Sequence, residues 1–328
     1  MKLIRTEDAV GHVLCHDMTQ IIRGVTKDAL FRKGHVVTEE DIPLLLAIGK
    51  EHLYVWEKDD SMLHEDEAAE ILMNLCRNRH MKATAPKEGR INLQAECSGV
   101  LKIRRDKLLA VNSCGEVMIA TKRGDTLIRK EQVFAGMRVI PLVISKEKMA
   151  QVEALAGDEP ILKLLPLKAK RAAILATGSE IYKGRIEDTF TPVVAGKLEE
   201  LGCTVMDRRI LDDDAASTTA AILDEIGRGA ELVCVTGGMS VDPDDKTPLA
   251  IRQTGAEIIS YGAPVLPGAM FLLSYFRKPD GTSVPVVGLP GCVMYAKQTI
   301  FDLTLPRLLA DDPVSAAELA ALGEGGLL

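Results

Sequence analysis

Residues 231–255 read ELVCVTGGMSVDPDDKTPLAIRQTG. An apolar run, ELVCV, ends at two glycines, three aspartates follow within four positions, and TPLAIRQTG then has the pattern of a short helix. A buried strand that passes through a glycine loop into a helix is the building unit of a parallel α/β sheet. The loop itself has two interpretations: a solvated turn, or a site that holds a metal ion or a phosphate-bearing ligand.

The same alternation extends on both sides of this stretch, from residue 171 to residue 310. Strands are predicted at AAILATG, CTVMDRRIL, ELVCVTGG and SVPVVGLPG, and helices at TPVVAGKLEELG, STTAAILDEIGRG, TPLAIRQTG and CVMYAKQTIFDLTLPRLLA. Strands and helices that alternate at this spacing indicate βαβ units. The predicted fold class is therefore α/β, with a mostly parallel C-terminal sheet that has helices on both faces.

The first half of the chain has a different pattern. Residues 1–85 are predicted as an N-terminal α/β and helical region. Residues 86–150 contain the short pieces GVLKI, KLLAVN, EVMIAT, DTLIRK and MRVIPLVI, which we predict to be strands of a small β-rich domain. A connector over 149–168 leads into the parallel-sheet domain, predicted at 169–310, and 311–328 is predicted as a C-terminal tail.

Composition excludes several classes of function. The 328 residues are 47% hydrophobic, which supports real cores, and the formal net charge of −7 argues against a nucleic-acid binder. No apolar segment reaches the roughly 20 residues of a membrane span, so we expect no membrane contact. The seven cysteines are widely spaced and form no CxxC motif, which argues against a disulfide framework and favours the cytoplasm.

Four loops follow strands at the same predicted edge of the parallel sheet. They are TGSE (177–180), LDDD (211–214), TGGMSVDPDD (236–245) and LPGC (289–292). Ligands of such sheets bind outside the carboxyl ends of the strands. Glycines, and the helix N-termini after them, suit an anion such as phosphate, whereas the aspartates would repel it. Both groups are compatible when Mg²⁺ joins carboxylates to substrate phosphates.

The segment from residue 171 to residue 309 resembles the molybdopterin-binding domain shared by molybdenum-cofactor biosynthesis proteins. The matching pieces are ATGSEIYKGRIEDTF, RRILDDD, VTGGMSVDPDD, VLPG and GLPG. GGMSV is similar to the molybdopterin molybdotransferases, the molybdenum insertases, whereas DDKTP is similar to the molybdopterin adenylyltransferases and the competence-damage-inducible proteins. The β-rich segment upstream and the opening TEDAVGHVLCHDMTQ also resemble insertases.

The resemblance implies roles for particular residues. Glu180, Asp213 and Asp245 correspond to catalytic acids, and Asp213 and Asp245 to ligands of the metal, with Asp214 a close competitor of Asp213. The implied cofactor-binding residues are Gly178, Asp188, Thr189, Thr236, Gly237, Gly238, Ser240, Pro290 and Gly291. From the residues themselves, Asp242 and Asp244 are expected to be solvated turn residues.

The implied activity is molybdenum insertion into molybdopterin. Mg²⁺ would assist transfer of molybdate to the dithiolene of molybdopterin, with cleavage of the phosphoanhydride of adenylylated molybdopterin. Insertase relatives pair as dimers, so a homodimer is expected, and the resemblance also implies a client molybdoenzyme as a partner.

Three departures from the family pattern keep two alternatives open. The insertase motif similar to SxMDGYA is absent, Leu266 replaces the lysine of a KPG turn, and Cys292 replaces the asparagine of GLPGNP. These changes favour a non-catalytic carrier or sensor protein that binds the pterin for a molybdoenzyme. The second alternative is a metal-dependent nucleotide pyrophosphatase.

Overall fold

The computed structural model describes residues 2–22, 26–55, 59–240 and 246–328. In chain order, its strands are β1 (Lys2–Arg5), β2 (Met18–Ile22), β3 (Thr26–Phe31), β4 (His52–Val55), β5 (Met62–His64), β6 (Met81–Ala83), β7 (Arg90–Ala95), β8 (Gly99–Ile103), β9 (Val117–Thr121), β10 (Thr126–Ile128), β11 (Val133–Val139), β12 (Val143–Ser145), β13 (Leu162–Pro166), β14 (Arg171–Thr177), β15 (Thr204–Leu211), β16 (Leu232–Thr236), β17 (Glu257–Tyr261), β18 (Leu272–Arg277) and β19 (Ser283–Leu289). Its α-helices are α1 (Asp41–Ala47), α2 (Glu65–Cys76), α3 (Arg105–Asn112), α4 (Lys146–Ala156), α5 (Ser179–Tyr182), α6 (Phe190–Glu200), α7 (Ala215–Gly227), α8 (Thr247–Gln253), α9 (Ile300–Leu309) and α10 (Ala316–Ala321).

The chain divides into two compact units. The first comprises Met1–Glu96, Ile103–Lys122 and Glu131–Lys163. It contains the antiparallel pairs β1–β4, β2–β3 and β5–β12 and a four-stranded antiparallel sheet in the order β6-β7-β11-β9. Helix α2 packs against β7 and β11 of this sheet, and its Ala68 and Leu72 are fully buried. The pieces GVLKI and DTLIRK form β8 and β10, which pair in a separate three-stranded sheet in the order β10-β8-β13. The pieces predicted as strands in 86–150 therefore contain strands, with one exception.

The exception is the piece KLLAVN, which lies in helix α3 rather than in a strand. Arg105, Lys107 and the two leucines of this segment are good helix formers, and Val111 is its one buried residue. The segment 149–168, predicted as a connector, contains parts of two regular elements, α4 (Lys146–Ala156) and β13 (Leu162–Pro166). Ser145 caps α4 by accepting a hydrogen bond from the backbone N–H of Lys148 at 3.2 Å.

The second unit contains the parallel sheet. It comprises Cys97–Lys102, Arg123–Lys130 and Leu164–Leu328. A six-stranded sheet runs in the order β15-β14-β16-β19-β18-β17. The first four strands pair in parallel, and β18 and β17 are antiparallel to their neighbours. The predicted fold class, an α/β protein with a mostly parallel C-terminal sheet, is confirmed.

Alternate residues of the central strands face opposite layers of helices. Ile174 of β14 belongs to a core with Leu198 of α6 and Phe301 of α9. Its neighbour Leu175 belongs to a second core together with Ile222 of α7. Helix α8 also contributes to this second core. All of these side chains are fully buried. The period of two along each strand therefore gives the sheet a helical layer on both faces, as predicted.

The end of the chain is not a free tail. Within 311–328, helix α10 forms, and Val314 and Leu319 are buried in the same core as α6 and α9. With only six residues, α10 is too short for its apolar pattern to predict a helix from the sequence, and its burial against the core stabilises it. No helix in the described part of the chain is long and apolar enough to cross a membrane.

Candidate functional site

The four predicted loops meet at one edge of the six-stranded sheet. Strands β14, β15, β16 and β19 end at Thr177, Leu211, Thr236 and Leu289. These strands are parallel neighbours, and the register aligns Thr177 with Leu211, Ala176 with Thr236, and Thr236 with Leu289. The loops therefore leave the sheet side by side, which is where ligands of parallel sheets bind.

The loops after β14 and β15 carry the described acidic residues of this edge. The Oδ2 atom of Asp213 accepts a hydrogen bond from the backbone N–H of Ser179 at 2.7 Å. The backbone N–H of Gly178 donates to the carbonyl oxygen of Leu211 at 3.2 Å. Glu180 is exposed, and its Oε2 atom lies 3.7 Å from the position that a Cβ on Gly178 would occupy. Asp213 and Glu180 thus lie on two loops that are bonded to each other.

The neighbouring Asp214 has a structural role instead. Its carboxylate caps α7 and accepts a hydrogen bond from the backbone N–H of Ser217 at 2.7 Å. Hydrogen bonds from Ser217 hold the pKa of Asp214 below its usual range. Because capping engages Asp214, Asp213 is the residue of this pair that contacts the neighbouring loop.

A glycine brings the loop after β16 into close contact with β14. Gly237 has a φ of +86°, and a Cβ at this position would lie 2.0 Å from the carbonyl oxygen of Thr177. The hydroxyl of Thr247, at the start of α8, donates to the carbonyl oxygen of Gly237 at 2.8 Å. The buried Oγ1 atom of Thr236 has no hydrogen-bond partner within the described residues. Only a residue without a side chain fits where Gly237 lies.

A cavity of about 290 Å³ opens beside these glycines, at the ends of β16 and β19. Five of the predicted cofactor-binding residues line it: Gly237, Gly238, Ser240, Pro290 and Gly291. Sequence reasoning missed the other lining residues, which are Phe190, Met239, Met270 and Leu289. Phe190 directly follows the predicted Asp188–Thr189 pair, and Met239 lies between two predicted residues, so proximity to the motifs was the available signal.

The cavity and the acids occupy adjacent parts of the edge. Strand order places the loops of Asp213 and Glu180 after β15 and β14, and the cavity after β16 and β19. The helices that follow two of the glycine loops, α5 and α8, span only four and seven residues. The donors available to an anion are therefore loop amides, more than the ends of long helices.

Asp188 and Thr189 lie at the start of α6. The Asp188 Oδ1 atom accepts from the backbone N–H groups of Phe190 and Thr191 at 2.9 and 3.0 Å, and its Oδ2 atom accepts from the Thr191 hydroxyl. The hydroxyl of Thr189 donates to the sulfur of Met294 at 3.2 Å. Asp188 thus holds the helix that presents Phe190 to the cavity, and a direct contact of either residue with a ligand stays a prediction.

The predicted metal ligand Asp245 lies outside the described residues, as do Asp242 and Asp244. The next residue, Lys246, places its Nζ atom 3.5 Å from the carbonyl oxygen of Asp213. The described residues contain no group of three or more His, Cys, Asp or Glu side chains that could hold a metal. Mg²⁺ commonly binds one or two carboxylates together with water and phosphate, and the carboxylate of Asp213 at this edge fits that kind of site.

Two residues that depart from the family pattern have clear positions. Cys292 is partly buried in a short 3₁₀ turn over Gly291–Met294, and burial raises the pKa of its thiol, which favours the neutral form. Leu266 is 53% exposed, so it offers an apolar surface where the related turn has a lysine.

Comparisons with known proteins identify two segments. Residues 173–310 match the model of a probable molybdopterin binding domain, and residues 3–57 match a domain of unknown function. The predicted resemblance of the C-terminal half to molybdopterin-binding domains is confirmed.

Individual relatives include both groups that the motifs suggested. A CinA-like protein from Anaeromyxobacter dehalogenans is 40% identical over 180 residues, which are 45% of this chain and 44% of that protein. A molybdopterin molybdenumtransferase from Synechococcus elongatus is 23% identical over 178 residues, 52% of this chain and 42% of that protein. The alignments thus span less than half the length of these relatives. Among solved structures, the tungsten cofactor synthesizing protein MoaB from Pyrococcus furiosus is 20% identical, with a TM-score of 0.37, over 44% of this chain and 98% of that one.

Proposed function

We propose that the second unit binds molybdopterin, or its adenylylated form, at the carboxyl edge of its sheet, and acts in molybdenum cofactor biosynthesis. The observation that carries this proposal is the cavity between the loops after β16 and β19, which lies within the segment that matches a probable molybdopterin binding domain. Its glycine-rich loops offer backbone N–H groups to a phosphate.

The lining of the cavity suits a flat heterocycle with a phosphate. Phe190, Met239 and Met270 provide apolar walls, and the described residues that line the cavity carry no charged side chain. Ligand pockets commonly combine apolar walls with a few polar groups that fix orientation. In this assignment the phosphate is held by the amides of Gly237 and Gly238, and the hydroxyl of Ser240 adds a donor.

The finer proposal is molybdenum insertion assisted by Mg²⁺. Asp213, and Asp245 from outside the described residues, would hold the metal, which when bound supplies Lewis-acid polarisation of phosphate oxygens. The hydrogen bond from Ser179 fixes the orientation of Asp213, and Glu180 lies on the same bonded pair of loops. Lys246 adds a cation near Asp213. These residues bind and orient the reacting groups, and no nucleophilic side chain is needed.

Two alternative functions would use the same site. The higher identity to CinA-like proteins than to the molybdenumtransferase favours metal-dependent hydrolysis of nucleotide phosphoanhydrides as the second candidate. The residues Leu266 and Cys292 favour a carrier that binds the pterin without turnover. A homodimer and a client molybdoenzyme remain proposals by analogy.

One assay distinguishes the three activities. The full chain is incubated with adenylylated molybdopterin, molybdate and Mg²⁺, and formation of the molybdenum cofactor and of AMP is followed. A parallel incubation contains unrelated dinucleotides and Mg²⁺, and their hydrolysis is followed. Cofactor formation that Asp213→Asn abolishes is the expected result. Binding of the pterin without either product indicates a carrier, and hydrolysis of unrelated dinucleotides without cofactor formation indicates a pyrophosphatase. Absence of pterin binding refutes all pterin-based assignments.

A further inference from the structure

The sheet of the first unit has two arginines side by side on one face. The register places Arg90 of β7 directly opposite Arg138 of β11. The next pair along the same face is Asn92 with Gly136, and Gly136 in turn lies opposite Ala120 of β9. Like charges directly opposite each other destabilise an antiparallel pair. The two arginines therefore lie beside a floor of small residues, Gly136 and Ala120, and their mutual repulsion destabilises the pairing of β7 with β11.

The described contacts neutralise this pair only partly. The Nε atom of Arg90 donates to the side-chain oxygen of Asn92, which is neutral, at 2.9 Å. The Nη2 atom of Arg138 lies 3.7 Å from Oε2 of Glu65, and its Nε atom donates to the carbonyl oxygen of Val139 at 3.1 Å. Among the contacts described for the two arginines, the one carboxylate is that of Glu65, and it pairs with Arg138.

An open cavity of about 440 Å³ lies over this floor. The charged side chains that line it within the described residues, Arg90, Lys122 and Arg138, are all cationic. Met118 and Val133 supply apolar walls, and Val133 is 45% exposed. The chain as a whole has a formal charge of −7, so this concentration of cations is a local feature.

Gly136 keeps the cavity open. A Cβ at this position would lie 2.9 Å from Oδ1 of Asn92 and 3.6 Å from Nε of Arg90. A larger residue would therefore displace the Arg90–Asn92 pair from the surface of the sheet. The glycine lets the guanidinium lie across the floor, with its remaining donors available to a bound anion.

We propose that this cavity binds the phosphate of a small organophosphate, such as a nucleoside monophosphate, whose apolar part contacts Met118 and Val133. Arginine forks bind phosphate oxygens in pairs, and a phosphate between Arg90 and Arg138 removes their repulsion. Single-stranded nucleic acid is disfavoured, because such binding uses exposed aromatic side chains in addition to cations, and Phe134 of this cavity is buried.

The test titrates the full chain with AMP and with a single-stranded oligonucleotide by calorimetry. It is carried out in a Gly291→Leu background, which fills the cavity of the second unit and removes any contribution from that site. Arg90→Gln and Arg138→Gln are each expected to weaken AMP binding by about tenfold or more, because each removes charge-assisted hydrogen bonds. Arg79→Gln changes an exposed arginine of the same unit outside the cavity lining, and should leave affinity unchanged.

A second variant and the melting temperature guard against unfolding. Arg90→Lys keeps the charge but loses the fork, so it should retain part of the affinity, and ligand-free Arg90→Gln should melt at the same temperature as the parent or higher. The proposal is overturned by unchanged AMP binding in Arg90→Gln, by an equal loss in Arg79→Gln, by an absence of saturable binding, or by tighter binding of a single-stranded oligonucleotide than of AMP.

Discussion

Substitution of Gly237 by alanine tests the close packing of the loops at the carboxyl edge. The new Cβ would lie 2.0 Å from the carbonyl oxygen of Thr177 and 2.8 Å from its hydroxyl oxygen, at a φ of +86°. The left-handed backbone costs an alanine about 1–2 kcal/mol. Overpacking against backbone that cannot move freely adds about 1–3 kcal/mol. We therefore expect Gly237→Ala to lower the stability of this edge by about 2–5 kcal/mol.

Gly255→Ala is the matched control. Gly255 follows α8 with a φ of +83°, and no atom lies within 4 Å of its added Cβ, so only the backbone cost applies. Because a chain of two units need not unfold in one step, native-state hydrogen exchange of peptides from β14 and β16 is the assay. Gly237→Ala should lower their opening free energy by about 1–3 kcal/mol more than Gly255→Ala lowers that of α8. Equal effects of the two substitutions would refute the close approach of Gly237 to Thr177.

Three further perturbations have defined outcomes. Asp214→Ala removes the cap of α7 and should lower the free energy of unfolding in urea by about 1 kcal/mol. Asp214→Asn can still cap the helix and should lose only a small part of this stability. Equal losses for the two variants would contradict the capping role. Burial raises the pKa of Asp311, but hydrogen bonds from Lys168 and Lys170 outweigh it and hold that pKa below its usual value. The stability that Asp311 contributes is therefore present above about pH 4 and is lost as the pH falls through its folded pKa. The melting temperatures of Asp311→Asn and of the unsubstituted chain should converge in acid. A difference in melting temperature that stays constant with pH would contradict this role of Asp311. Burial raises the pKa of Cys76 to about 12, so at pH 8 a thiol reagent should modify it only after unfolding. Mass spectrometry of the alkylated peptide measures this modification. Rapid modification of the native protein would contradict the burial of Cys76.

Local sequence patterns identified the parallel sheet but misassigned parts of the chain around it. Strands β14, β16 and β19 are apolar over most of their length, and a glycine follows each of them within two residues, which is a strong signal. Residues 105–112 have no comparable contrast, because one buried valine does not define a face, and helix propensity determined the outcome. Helix α10 depends on burial of Leu319 in a core formed by distant residues, which no local pattern reveals.

The placement of the described loop residues at one edge of the sheet was predictable where glycine or acid motifs follow strands. Gly237, Gly238 and Gly291 line one cavity because their loops leave neighbouring parallel strands. The sequence could not predict that Asp213 contacts the neighbouring loop while Asp214 caps α7. Adjacent carboxylates differ in which backbone N–H groups they meet, and the tertiary structure determines that. Apolar walls such as Met270, two residues beyond the VLPG motif, are not part of any motif, and only the tertiary structure places them at the cavity.

The central claim is that the cavity between the loops after β16 and β19 receives the pterin. Gly291 lines this cavity, and no atom lies within 4 Å of a Cβ added to it, so Gly291→Leu fills the space without a clash at the Cβ. Gly227→Leu, which adds the same side chain at an equally unobstructed and exposed position of α7, is the control. Calorimetric titration with molybdopterin should show binding by the unsubstituted chain and by Gly227→Leu, and loss of binding by Gly291→Leu. Undiminished affinity of a folded Gly291→Leu variant would contradict the claim.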